Sequence, residues 1–544
     1  MSEISAQLIC SALGLGALLL YALYLPLVLL YKQYNSSFRD LPGPPSTSWL
    51  KGNFPEMQES ENTIFYKKWA KQYGPTMQFK VFFNMSRLYT ADTKALNHIL
   101  HNEYIYHKPR ITQWSLGRLT GPGLFYVQGD KHKFQRKIIS PAFSPGQLRG
   151  FSETFFEKAE ELRDIWASQI EVDGNVAQVD ALSWLSKMTL DVIGRTVGFH
   201  YDFHALSPEG NANELNKALS IGFHAATRFS IWLMIQSVLP VTRWIPSSGS
   251  AQLRKAKKTM DRIGQELLQE SKAQLMTSGR KVDTWRSKDL LSLLVRSNMN
   301  TDIPYRQRMS DEDVLAQVPT FVFAGHDTIS SGTAWSLYAL SLHDSVQDRL
   351  RKELQCVLTE HLTMEDLNSL PYLDAVVKET LRFHSPAPET ARVAVKDDIL
   401  PLNTPVTDKN GIVRREICIK KGQHLLLAIS GVNLAKELWG EDAMDFKPER
   451  WLSKLPEAVN SIPGVWGNMM TFLGGPHGCI GYRYAVLEMK VLLFTLVRAF
   501  EIKLAVPKEN IINRTSIVQR PYIKGEIEAG GQLPLLISHA LKKE

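Results

Sequence analysis

The sequence predicts a mainly α-helical protein with small peripheral β-sheets, one large domain behind an N-terminal transmembrane helix. Three features predict it: long helical patterns, strand signals that are all short, and one uncharged apolar stretch at the start. The chain has 544 residues, 44% hydrophobic and 22% charged, which excludes a disordered, collagenous or low-complexity protein. Its four cysteines, Cys10, Cys356, Cys418 and Cys479, are too scattered to staple a fold of this size, and no C-x-x-C pair offers a zinc ribbon. A net charge of +8 over this length suits a basic docking face or anionic lipid better than a nucleic-acid groove.

No charged residue occurs from Ile4 to Tyr31. As a helix, Ala12–Leu30 would span about 28 Å, near the thickness of a hydrocarbon core. A cleaved signal peptide is the rival reading, but the leader holds Glu3, no Lys or Arg, and no small-residue cleavage site follows. Lys32 and Arg39 just after the span place the rest of the chain on the cytosolic side. Residues 1–40 are therefore expected as anchor and flank, 41–48 as a stiff proline-rich spacer, and 49–544 as a single domain.

Within that domain, strand signals lie at Thr76–Tyr89, Arg392–Val395, Glu416–Ile419 and in the tail from Ile517 to Ile537. Ser310 caps a helix whose first turn holds Asp311, Glu312 and Asp313, matched to the positive end of the dipole. It continues to Leu342, with Pro319 and Gly325 expected to bend or loosen it. A second helix is expected over Met364–Phe383, stopped by the Ser385–Pro388 break, and a third after Gly481.

The stretch Phe472–Gly481 (FLGGPHGCIG) sets Cys479 between glycines, after a proline turn and ahead of a helix. Glycines let backbone approach a flat ligand and leave amide N–H groups free to face the sulfur, and a helix N-terminus stabilises a thiolate. Taken alone, the same pattern also fits a buried inert cysteine. His200 and His204 have zinc-like i, i+4 spacing but lack the Glu and third ligand of a zinc site. No G-x-S-x-G and no Walker A loop occur.

Phe472, Gly475, Cys479 and Gly481 match F-x-x-G-x-x-x-C-x-G, and here the chain resembles the cytochrome P-450 monooxygenase family, most closely its fungal, basidiomycete-type microsomal members. The resemblance implies the P-450 fold, haem b as cofactor, and Cys479 as axial ligand of the iron. It implies cofactor contacts for Phe472, for His132 and Arg136 in GDKHKFQRK, for Arg392 in TARVAVKDD, and for His477, which replaces the usual propionate-binding Arg. Phe446–Trp451 resembles the family's P-E-R-F motif with Trp in place of the last Phe, and Glu379, Arg382 and Arg450 would form a buried ion network bracing the cysteine loop. Ala324–Thr328 resembles the oxygen-activation motif, with Gly325 letting the helix widen, Asp327 relaying protons and Thr328 holding the hydroxyl.

What the resemblance implies for function is hydroxylation of a lipophilic small molecule, with terpenoid or other secondary metabolism the first reading and fatty acids, sterols or xenobiotics the alternatives. A haem-thiolate isomerase or dehydratase needing no reductase is the rival of another class. Electrons would come from NADPH through NADPH–cytochrome P-450 reductase, with cytochrome b5 as a second donor, at the endoplasmic reticulum membrane. Lys133 and Lys137 could dock that donor. Phe229–Pro246 would touch the bilayer, and 111–126, Phe321, Phe323, 387–390, Ser516 and Ile517 would line the pocket.

Overall fold

The computed structural model describes residues 33–59, 63–197, 201–207, 249–277, 290–299, 308–515 and 517–540, with isolated positions between. Nearly all of the expected anchor lies outside the described residues, as do most of 229–246, His200 and Ser516. Among the described residues no helix is long and apolar enough to cross a membrane, so the transmembrane part of the expected architecture stays an expectation. The mainly helical character with small sheets is present as read. The chain forms two compact units, Met1–His107 with Glu389–Gly431, and Lys108–Pro388 with Val432–Glu544.

The smaller unit is built on a five-stranded sheet in the order Thr76–Val81, Met85–Thr90, His424–Ala428, Glu389–Ala394, Tyr106–His107. The expected single strand Thr76–Tyr89 is a hairpin, because Phe83 and Asn84 turn the chain with φ of 55° and 56°. Asp92 caps helix Thr93–His101 by accepting the Ala95 N–H at 2.9 Å, and the same carboxylate accepts the Asn403 and Thr404 N–H groups. The proline segment is no free rod: Gln78 donates through Nε2 to Arg39 O and Leu41 O, both at 2.9 Å, and Leu41 is buried. A Cβ on Gly43 would stand 1.9 Å from Gln78 O, so only glycine lets the segment lie this close.

The larger unit holds the long helices. Helix Asp311–Leu342 runs 32 residues, with Ser310 Oγ accepting the Asp313 N–H at 3.1 Å as the cap pattern predicts. It stays α-helical throughout, so the expected loosening at Gly325 is not seen. That glycine instead admits a neighbour: a Cβ there would stand 2.5 Å from Ile193 Cδ1 on helix Ala181–Thr196. The expected helix Met364–Phe383 is two, Met364–Asn368 and Pro371–Phe383, since Leu370 is extended (ψ 101°) ahead of Pro371. Helix Tyr482–Ala499 is buried without interruption from Val486 to Val497, each large apolar side chain there contributing about 1.5–3 kcal/mol. Its neighbours include the long helix, where a Cβ on Gly332 would meet Met489 at 3.3 Å.

Candidate active site

The cysteine loop is held by its own backbone. Cys479 N–H donates to Phe472 O at 2.8 Å and Gly478 N–H to Gly475 O at 3.0 Å, closing the loop on itself. Gly475 has φ 66°, open to glycine, and a Cβ on Gly478 would press on Val465 at 2.8 Å. Phe472 packs its ring edge-on to Trp466 with centroids 5.6 Å apart. Burial pushes the Cys479 thiol pKa up, while the Gly481 N–H and the charge of Arg136 oppose that rise. The thiol is nevertheless accessible to solvent.

Helix Gly129–Ile139 brings two more of the expected residues to that loop. His132 and Arg136 are one turn apart on it, and the His132 ring stacks on His477 with centroids 3.8 Å apart and planes at 27°. His132 is buried, and burial together with Lys108 and Arg136 lowers its pKa to about 4. It is therefore a neutral imidazole at physiological pH. Lys133 and Lys137 are exposed on the same helix, whereas Lys131 pairs with Asp313 of the long helix at 2.7 Å. Arg392 belongs to the smaller unit, buried on strand Glu389–Ala394, where it donates to Thr390 Oγ1 at 3.0 Å.

Away from its ends, the long helix has one accessible turn. It is buried from Val318 to Phe323 and again from Ile329 to Leu337, but Ala324 is exposed and Thr328 partly so. Thr328 Oγ1 donates back to Ala324 O at 2.7 Å, and Thr189 Oγ1 donates to His326 O at 3.0 Å, so hydroxyls occupy two carbonyls of this turn. Asp327 is buried and ion-paired to Arg520. Phe321 is buried, with its ring 5.6 Å from that of Phe143. Phe323 is buried too.

The buried ion network is present and larger than expected. Glu379 takes both Arg382 contacts at 2.8 Å, Arg450 Nε at 3.0 Å and the Lys447 N–H at 2.8 Å. The indole N–H of Trp451 adds a fifth donor at 2.9 Å. Arg382 in turn donates to Asn433 O at 2.8 Å, and Asn433 Oδ1 accepts the Met470 N–H at 2.8 Å while its Nδ2 reaches Thr471 Oγ1 at 2.9 Å. Asn433, wholly buried, is thus the link from the network to the strand of chain entering the cysteine loop. No motif marks Asn433 or Arg520 in the sequence.

These residues fit haem. They offer a thiol that accepts an N–H, a guanidinium and two imidazoles suited to carboxylates, and an accessible turn of small residues on an otherwise buried helix. Fold and site together define a haem-thiolate oxidoreductase. Comparison with known proteins agrees: the Cytochrome P-450 family matches residues 42–524. Cytochrome P-450 monooxygenase 205 of Postia placenta is 46% identical over 538 residues, 98% of either chain. Monooxygenase 128 of the same fungus is 46% identical over 534 residues, 97% of either chain. A ganoderic acid synthetase of Ganoderma lucidum is 33% identical over 508 residues, 90% of this chain and 91% of its own. The chain belongs to the cytochrome P-450 family and is a monooxygenase of basidiomycete type.

Proposed function

We propose that the protein hydroxylates a lipophilic secondary metabolite, with a terpenoid as the first candidate, using electrons from NADPH delivered by a membrane-bound reductase. The balance is RH + O2 + NADPH + H+ giving ROH + H2O + NADP+. The observation that carries the reading is the accessible Cys479 thiol beside Arg136, with His132 stacked on His477. Bound haem supplies the redox centre at which O2 is activated. The chain's own residues do the rest. Cys479, accepting the Gly481 N–H, would ligate the iron as thiolate; Arg136, His132, His477 and Arg392 would hold the cofactor's carboxylates; Phe472 would pack against it.

Asp327 and Thr328 would deliver protons, Thr328 at its Oγ1, from the accessible turn at Ala324. The relative named ganoderic acid synthetase supports a secondary-metabolite substrate. The uncharged stretch 4–31 supports an anchor in the endoplasmic reticulum membrane. The exposed Lys133 and Lys137 support docking of an acidic electron donor. Reductase-containing microsomes test the reading with a panel of lipophiles. Product formation should require both NADPH and O2; conversion without either would instead favour the isomerase or dehydratase class.

A further inference from the structure

Asp327, Ser331 and Trp335 recur every four residues along one side of the long helix, and each meets one of two adjacent residues, Gln519 or Arg520. The Arg520 guanidinium pairs with the Asp327 carboxylate. The Ser331 hydroxyl and the Trp335 indole N–H, the latter at 3.1 Å, both donate to Gln519 O. From the other side Gln519 N–H donates to Pro386 O at 2.8 Å. Gln519 and Arg520 open strand Gln519–Ile523, which pairs with Ile511–Thr515. Three side chains over about two turns of helix therefore grip the start of one strand, and the grip includes an ion pair in which the Asp327 side chain is 7% exposed and that of Arg520 30%.

Neighbouring helical residues point about 100° apart, so Asp327 faces this strand while Ala324 and Thr328 line the adjacent, accessible stripe. A buried carboxylate held by a guanidinium does not swing freely, because parting them leaves the buried carboxylate without its counter-charge. Arg520 thus decides where the Asp327 carboxylate stands relative to the Thr328 hydroxyl.

We propose that Arg520 is a positioning residue for proton delivery, fixing the Asp327 carboxylate at the place from which protons pass to the Thr328 side. This rests on the reading of Asp327 and Thr328 as the proton route. NADPH supplies both electrons, and water replaces each proton that Asp327 passes on, so the pair ends a turnover as it began. When delivery fails, O2 + NADPH + H+ leaves as H2O2 + NADP+ and the substrate is untouched.

The test uses the full-chain holoenzyme with reductase, comparing Arg520→Gln, Arg520→Lys, Asp327→Asn and the Gln/Asn double variant. Two quantities are read: peroxide formed per NADPH, and the melting temperature of the resting ferric protein. Arg520→Gln should raise the peroxide share about threefold or more, and Arg520→Lys should restore most of the coupling. The double variant should leak no more than Asp327→Asn, and the melting temperatures should be non-additive. An unchanged peroxide share in Arg520→Gln, whether or not its melting point falls, overturns the proposal. So does additive leakage in the double variant, since Arg520 would then act other than through Asp327. If Asp327→Asn itself stays coupled, the proton-route reading fails, while the melting cycle still reports on the pair. Arg520→Met, which keeps the aliphatic stem, serves if the Gln variant does not load haem.

Discussion

The indole N–H of Trp451 donates to Glu379 Oε2 at 2.9 Å, adding a bond that phenylalanine at this position could not make. Glu379 is wholly buried and carries a charge, so every donor it has matters more than one at the surface would. Trp451→Phe keeps an aromatic ring over the network and removes only this donor. The expected cost is about 1–3 kcal/mol, read as a lowered melting temperature. An unshifted melt would show that water or Arg450 takes the place of the indole.

Asn433 joins the helix carrying Arg382 to the segment entering the cysteine loop, beside the Thr471 hydroxyl, which donates to Leu381 O at 2.7 Å. It accepts from Met470 N–H, donates to Thr471 Oγ1 and to Ser385 Oγ at 3.0 Å, and offers its carbonyl to Arg382. Asn433→Ala strands at least the Met470 N–H in a buried setting, at about 1–3 kcal/mol. Because Met470 and Thr471 lead straight into Phe472, haem should dissociate faster from the variant. Transfer of haem to an excess of an apo-haem scavenger measures that rate, and an unchanged rate would confine Asn433 to general stability.

Glu389 opens its strand in the smaller unit with Ala428 as Cα partner. Burial alone raises its pKa from 4.5 to about 7. For a carboxyl raised in this sense, the folded protein favours the proton more than the unfolded chain does. The stabilisation is full below about 4.5 and is lost as pH rises through about 7. It is worth at most about 3 kcal/mol. Melts at pH 5 and pH 7.5 should show a loss in the wild type that Glu389→Gln reduces. Parallel curves would place the titration elsewhere.

Thr328→Ala removes the hydroxyl on the accessible stripe next to Ala324 while leaving Cys479 and the ion network intact. NADPH consumption should continue within a few-fold of wild type, with about 10- to 100-fold less product per electron and peroxide making up the difference. Tightly coupled product formation in this variant would remove Thr328 from the proton route.

Much of the site was legible because local sequence carries it. The glycines around Cys479, the i, i+4 pair His132 and Arg136, and the i, i+3 pair Glu379 and Arg382 each sit in a short recognisable stretch, and the structure joins His132, Arg136, His477 and Cys479 in one unit. What was not legible depends on chain far away. Arg520 reaches Asp327 across 193 positions, and Asn433 meets Met470 across 37, with no pattern at either end. Gly325 suggested a loosened helix, yet the space its missing side chain leaves is filled by Ile193, a tertiary contact that no local propensity encodes. The break before Pro371 was visible in principle, but the apolar period on both sides carried the helix through it.

The central claim is that Cys479 is the thiolate ligand of a haem, and reduced-minus-oxidised spectra under carbon monoxide test it most directly. The wild-type protein should give the red-shifted Soret band of thiolate ligation, and Cys479→Ala should lose it while the chain remains folded. A Cys479→Ala protein that keeps the band would contradict the account, because another residue would then hold the iron.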